Sequence, residues 1–142
     1  MRILVDTDVV MDYLINRDIF SADADTLISL CKDGKIKGCI AAHTVPNIYY
    51  ILRKSFSSEQ RRDFLLRICK ILTVINIDSD KLISALRNDD FPDFEDCLQS
   101  ECAREFGADY IVTRNVGDYE GSAVPVIEPR ELLSAGGWGY QG

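Results

Sequence analysis

Histidine is nearly absent from this chain, since His43 is the only one among 142 residues. Zinc and iron sites that need several histidines are therefore excluded, and a serine hydrolase triad would have to use His43. No apolar run approaches the roughly 18 residues that cross a bilayer, so we expect no membrane contact. The amino terminus reaches Asp6 after a three-residue apolar run, which is not the pattern of a signal peptide.

The chain has five cysteines, and their spacing does not match a known metal-binding or disulfide motif. They are Cys31, Cys39, Cys69, Cys97 and Cys102. The odd number and the absence of a C-x-x-C pair argue against a metal site or a disulfide framework. Most of them lie in apolar stretches, which predicts buried free thiols in a reducing compartment and hence a cytoplasmic protein.

Basic residues are outnumbered, because 16 Lys and Arg against 23 Asp and Glu give a formal net charge of −7. The chain therefore has no overall positive field that would attract nucleic acid. A bound cation or a local basic patch would have to supply any attraction to RNA or DNA. The hydrophobic fraction of 46% is otherwise typical of a globular protein, and the length corresponds to one domain.

Short apolar runs alternate with helical patterns along the chain. The predicted strands cover residues 2–5, 37–42, 73–77, 110–113 and 124–127, the last one at an edge. The predicted helices cover residues 9–15, 79–88, 94–106 and 129–133, with others starting at Ser21, Thr44 and Ser57. This alternation predicts an α/β fold with a mainly parallel sheet covered on both faces. We expect one domain at 1–133 and a flexible glycine-rich tail at 134–142.

Acidic residues cluster where strands end and one helix begins. They are Asp6, Asp8 and Asp12 after the first strand, Asp93, Glu95 and Asp96 at the start of the 94–106 helix, and Asp118 after the 110–113 strand. Ligands of parallel sheets bind beyond the carboxyl ends of the strands, so these acids converge if the strands are neighbours. Crowded carboxylates repel unless a cation is bound, and Mg²⁺ and Mn²⁺ prefer oxygen ligands. The pattern predicts metal-assisted phosphoester chemistry.

Each acid taken alone also has a structural interpretation. Asp93 is a natural helix N-cap, and Glu95 and Asp96 suit the dipole of a first helical turn. For Asp8 an N-cap, and for Asp12 a solvated helix face, are the favoured interpretations. The functional interpretation depends on the acids acting together at one sheet edge.

Four segments in order resemble the motifs of PIN domains. They are LVDTDVV at 4–10, AHTVPNIYY at 42–50, DFEDCLQ at 93–99 and IVTRNVGDY at 111–119. The resemblance covers residues 1 to about 133 and is closest to a bacterial branch carrying DFED and TRNxxD[FY]. It implies a three-layer α/β/α fold around a mainly parallel sheet. It also implies a metal-dependent endoribonuclease that uses Mg²⁺ or Mn²⁺, as in the toxins of VapBC-type toxin–antitoxin pairs.

The resemblance implies roles for individual residues. Asp6, Asp96 and Asp118 are the expected catalytic and metal-binding residues, and Glu95 and Asp93 are expected to add to the metal site. The supporting residues are expected to be Asn47, Thr113 and Asn115, with Thr113 orienting a neighbouring carboxylate or water. The predicted substrate-binding residues are Arg53, Lys54 and Arg114. For Arg53 and Lys54 the alternative is a helix face with exposed basic tips.

The sequence departs from the family pattern at two positions. Asn47 stands where the second motif usually carries glutamate, and Asn115 stands where the fourth often carries aspartate. An amide can ligate through its carbonyl oxygen but brings no charge. A catalytically degenerate PIN-fold binding module is therefore a second interpretation. A third is a haloacid-dehalogenase-like phosphatase, whose D-x-D motif resembles Asp6-Thr7-Asp8, although Val9 and Val10 replace the usual small residues.

Partners also follow from the resemblance. PIN toxins commonly self-associate and are held by an antitoxin, which implies a homodimer, an antitoxin protein and an RNA substrate. Phe20, Tyr49 and Tyr50 offer more apolar surface than one core needs, which is consistent with such contacts.

Overall fold

A five-stranded parallel sheet forms the centre of the computed structural model, which describes residues 1–15 and 18–138. The strands are β1 (Arg2–Val5), β2 (Lys37–Ala41), β3 (Thr73–Ile75), β4 (Tyr110–Val112) and β5 (Val126–Ile127). Their order is β3-β2-β1-β4-β5, and every pairing is parallel. The last strand lies at an edge as predicted, and β1 lies between β2 and β4.

Helices cover both faces of the sheet. They are α1 (Thr7–Ile15), α2 (Ser21–Lys32), α3 (Thr44–Ile51), α4 (Ser58–Ile71), α5 (Ser79–Leu86), α6 (Phe94–Phe106) and α7 (Pro129–Ala135). Alternation along β1 sends Ile3 and Val5 into the core shared with α1 to α4 and α7, and Leu4 into the core shared with α5 and α6. The predicted three-layer α/β/α fold is confirmed.

Of the three residues predicted to cap the starts of helices α2, α3 and α4, one is confirmed and two are wrong. Ser57 caps α4 through a complete capping box with Gln60, as its pattern predicts. The predicted caps Ser21 and Thr44 instead lie inside α2 and α3. The residues before them, Phe20 and His43, already have helical dihedral angles, whereas a capping residue needs an extended backbone.

The thiols are free, and four of the five are buried as predicted. Cys69 is exposed, because its position on α4 faces away from the core. Burial raises the pKa of the Cys31 thiol to about 11 and that of Cys102 to about 12. These two groups therefore behave as small apolar side chains near neutral pH.

The carboxyl-terminal helix extends further than predicted, to Ala135 rather than residue 133. Trp138 then packs against the core, with its backbone N–H donating to the Leu133 carbonyl. Residues 139–142 of the predicted tail lie outside the described residues, and the domain limit at residue 133 stays a prediction. In the described part of the chain, no helix is both long and apolar enough to cross a bilayer.

Candidate active site

Asp6 lies at the carboxyl end of the central strand and is fixed by the backbone on both sides. Its N–H donates to the Val112 carbonyl of β4, and its own carbonyl accepts from Val9 and Val10 in the first turn of α1. Its carboxylate is buried and accepts from the Thr7 N–H at 2.7 Å and from Thr113 Oγ1 at 2.8 Å. Burial raises the pKa of Asp6, and these hydrogen bonds oppose the rise.

Gln99 ties three helices together beside this carboxylate. It is 2% exposed, and its amide nitrogen lies 3.3 Å from Asp6 Oδ1, 3.4 Å from Thr7 Oγ1 and 3.2 Å from Thr44 Oγ1. The Thr44 hydroxyl also lies 3.2 Å from that of Thr7. The side chains of Thr44 and Gln99 therefore position α3 and α6 against the start of α1. Gln99 Oε1 is buried without a hydrogen-bond partner.

Asp96 enters the same space from the first turn of α6. Asp93 caps this helix and accepts from the Asp96 N–H at 2.9 Å, as predicted for an N-cap. Burial, followed by the charges of Asp93, Asp6 and Asp118, raises the pKa of Asp96 to about 7. The structure thus brings together Asp6, Asp96 and the exposed Asp118, although they come from three separate parts of the chain.

Asp8 belongs to this site more closely than its predicted role as an N-cap suggests. It is the second residue of α1, and its Oδ2 accepts from the Arg114 N–H at 3.0 Å and from Asn115 Nδ2 at 3.1 Å. Thr113 Oγ1 lies 3.3 Å from the same oxygen. Burial and the charge of Asp6 raise the pKa of Asp8 to about 6. Its second oxygen, Oδ1, is buried without a partner.

The expectation that Asp12 lies on a solvated helix face is wrong, because its side chain is buried, with 1% exposure. The Arg114 guanidinium binds both of its carboxylate oxygens, at 2.7 and 3.2 Å, and lies 4.2 Å from the Phe20 ring centre. This ion pair, in which Asp12 is buried and Arg114 half-buried, anchors the loop after β4, which carries Thr113 and Asn115. The contact of Arg114 with substrate stays a prediction, and the structure shows its guanidinium bound to Asp12.

Tyr119 and His43 are site residues that sequence reasoning did not assign. The Tyr119 side chain is 2% exposed, and its hydroxyl forms no hydrogen bond of good geometry. It faces two carboxylates, since it lowers the pKa of Asp6 and of Asp96, while burial and their charges raise its own pKa far above the usual range. Burial lowers the pKa of His43, which lies near Glu95 and Asp6. The only available signals were their positions within the second and fourth segments.

Other predicted site residues lie further out. Glu95 is exposed on α6, and Asn47 is half-buried one turn after Thr44, on the same side of α3. Arg53 and Lys54 follow the end of α3, roughly 14 Å along the helix from Thr44. Arg53 stacks on the Tyr50 ring at 3.7 Å. Arg53 and Lys54 are both exposed, and their predicted contact with substrate stays a prediction.

The donor set is consistent with a hydrated hard cation. Among residues 1–15 and 18–138, no three carboxylate, imidazole or thiol groups close around one point. The facing groups are two carboxylates, Asp6 and Asp96, with the unpartnered hydroxyl of Tyr119 beside them. Mg²⁺ typically takes one or two carboxylates and keeps several waters. The residues present therefore fit such an ion, without forming a closed cage for it.

Comparison with solved structures identifies a shared fold. VapC20 of Mycobacterium tuberculosis, described as a toxin that cleaves the sarcin-ricin loop, is 16% identical, with a TM-score of 0.70 over 89% of this chain and 99% of that one. VapBC2 of Rickettsia felis, solved with a fragment of its promoter DNA, is 18% identical, with a TM-score of 0.65 over 90% and 98%. FitAcB of Neisseria gonorrhoeae is 16% identical, with a TM-score of 0.66 over 89% and 97%.

Family comparison adds sequence support to this likeness in fold. No curated protein sequence matches the chain at a significant level. A family model described as PIN domain does match, over residues 2–117. That span includes β1, β4 and most of the acids described above. The chain belongs to the PIN domain family.

Proposed function

We propose that this protein is a metal-dependent endoribonuclease of the PIN type and the toxin of a toxin–antitoxin pair. The observation that carries the proposal is the facing pair of carboxylates, the buried Asp6 and the half-buried Asp96, each with a raised pKa. Two such groups repel each other in the absence of a cation, so their proximity at the sheet edge favours a cation site. PIN-domain nucleases generally use divalent metal ions, and Mg²⁺ or Mn²⁺ suits these oxygen donors.

The chain's own residues have separable tasks in this proposal. Asp6 and Asp96 hold the cation, with Asp118 adding negative charge at the exposed side. A bound Mg²⁺ or Mn²⁺ would polarise a water and offset the charge on a phosphodiester. Thr113 and the Thr7 N–H hold the Asp6 carboxylate in one orientation, at 2.8 and 2.7 Å. Arg53 and Lys54 are the proposed contacts for RNA phosphates approaching from the end of α3.

The test is RNA cleavage with and without Mn²⁺. We expect the parent protein to cleave a structured RNA in Mn²⁺ and to lose activity in EDTA. Asp6→Asn and Asp96→Asn should each abolish both cleavage and Mn²⁺ binding by calorimetry. Asp80→Asn is a matched control, because Asp80 also lies in the first turn of a helix but is exposed on α5. Cleavage by Asp6→Asn at the parental rate would refute the assignment.

A binding module without nuclease activity is the second candidate. It is favoured by Asn115, whose amide donates to Asp8 where an acid would otherwise add charge, and by the uncharged Asn47. Mn²⁺ titration separates the two, because a hundredfold excess over Kd should stabilise a metal-binding fold by about 2.7 kcal/mol. An unchanged melting temperature, together with no cleavage, would favour the module. Membership of the PIN family leaves the phosphatase interpretation without support.

Partner contacts are proposed on the helices that leave apolar side chains outside the core. Tyr50 is 62% exposed, Leu66 62% and Phe20 42%. We propose that such surfaces serve a homodimer and an antitoxin, in a reducing cytoplasm that keeps the thiols free. A strictly monomeric protein in sedimentation experiments at high micromolar concentration would contradict the homodimer.

A further inference from the structure

Asp8 and Asn115 form a charged and neutral pair beside the proposed cation site. Asn115 Nδ2 donates to Asp8 Oδ2 at 3.1 Å, although the two residues are 107 positions apart in the chain. The Arg114 N–H and Thr113 Oγ1 contact the same oxygen. Asp8 Oδ2 therefore accepts from three donors on the segment after β4, and these hydrogen bonds fix the orientation of the carboxylate.

The other oxygen of Asp8 has no such engagement. Oδ1 is buried and has no hydrogen-bond partner among the described residues. A buried carboxylate oxygen without a donor is unfavourable, so this atom needs a water or a cation nearby. Tyr119 provides a second, independent observation, because its side chain is only 2% exposed. Its hydroxyl has no hydrogen-bond partner and faces Asp6 and Asp96. Asp8, which shares the Thr113 hydroxyl with Asp6, and Tyr119 thus each carry an unsatisfied oxygen and lie beside the same carboxylate.

Residue identity at the two positions is physically linked. Aspartate at 115 in the present geometry would place a carboxylate about 3 Å from Asp8, where like charges repel strongly. An amide there donates a hydrogen bond instead. Asp8 can therefore carry a charge because Asn115 does not.

We infer that Asp8 is a further carboxylate of the cation site, in addition to Asp6, Asp96 and Asp118, that Asn115 holds it in place, and that Asp8 supplies charge which the amides at 47 and 115 lack. This inference rests on the proposed function. Asp8 acts as a positioning residue from outside the direct ligands, since no three acids in the described chain close around one point. Its free oxygen is suited to a hydrogen bond from the water around a divalent ion, and its charge favours the ion's presence.

A charge exchange tests this inference with four proteins: the parent, Asp8→Asn, Asn115→Asp, and the double variant. Two quantities are measured for each, the Mn²⁺ dissociation constant by calorimetry and the metal-free melting temperature. Asp8→Asn should weaken Mn²⁺ binding at least about 10-fold, as the loss of a group that hydrogen-bonds to the ligands of a metal does. Asn115→Asp should lower the metal-free melting temperature through repulsion. The double variant restores one acid facing one amide, so its Mn²⁺ affinity should return to within about 3-fold of the parent.

The outcomes separate this inference from the proposed function. A parent protein that binds no Mn²⁺ overturns both. A parent that binds Mn²⁺ while Asp8→Asn binds equally well overturns only the role of Asp8. A double variant with the same weak binding as Asp8→Asn overturns the exchange between the two positions. Asp80→Asn, measured alongside, should match the parent in Mn²⁺ affinity.

Discussion

Removing the charge of Asp96 should stabilise the metal-free protein while destroying its proposed cation site. Asp96 is held near Asp93, Asp6 and Asp118, and its pKa is raised from an ordinary value of 3.8 to about 7. Asparagine has nearly the same shape but no charge. In Asp96→Asn the repulsion and the cost of burying a charge both disappear, so the free energy of unfolding should rise.

The magnitude follows from the pKa. The difference between 3.8 and about 7 corresponds to roughly 4 kcal/mol at a pH above both values. Since Asp96 is only partly buried, solvent screening reduces this to about 2 kcal/mol. For a chain of this length such a gain raises the melting temperature by roughly 6 °C.

The raised pKa of Asp96 also determines how the stability difference between the parent and Asp96→Asn changes with pH. A carboxyl whose folded pKa is raised contributes stability at low pH, and this contribution is lost as the pH rises towards 7. The parent protein therefore bears the full penalty at pH 8 and less than half of it at pH 5. The advantage of Asp96→Asn should be largest at pH 8 and should shrink on acidification.

The assay is thermal unfolding in EDTA at pH 8 and pH 5, with Asp80→Asn as the control. Both variants lose an acid from the first turn of a helix, where a negative charge stabilises by about 0.3–1 kcal/mol. Asp80 is exposed, so its variant should be neutral or slightly less stable than the parent. A metal-free Asp96→Asn no more stable than Asp80→Asn at pH 8 would refute the crowding of the carboxylates.

Three further predictions concern the site and the thiols. Mn²⁺ affinity measured by calorimetry should fall as the pH drops through 7 and 6, because protons compete for Asp96 and Asp8, and a flat profile from pH 8 to 5 would contradict this. Arg114→Met should lower the free energy of unfolding in urea by roughly 3 kcal/mol, since it leaves Asp12 buried and unpaired, whereas Arg114→Met with Asp12→Leu should recover most of the loss. In thiol titration, Cys69 should react in the folded protein, and the four buried cysteines only after denaturation.

Local features of the fold were accessible to sequence reasoning because they depend on contacts within a few residues. The capping box of Ser57 and Gln60, the N-cap at Asp93 and the left-handed Gly107 that ends α6 all follow this rule. The same reasoning failed at Thr44. Its hydroxyl interacts with Thr7 and Gln99, 37 and 55 positions away, rather than with its own helix.

The sequence by itself determined the alternation of strands and helices, and it placed Asp6 and Asp118 after strands. These follow from hydrophobic period and from the polarity change at each strand end. Only the tertiary structure decided that β1 and β4 are neighbours, which brings Thr113 within 2.8 Å of Asp6 across 107 positions. The burial of Asp12 under Arg114 has the same origin. Partners so distant in sequence depend on the order of strands in the sheet, and no local pattern of residues specifies that order.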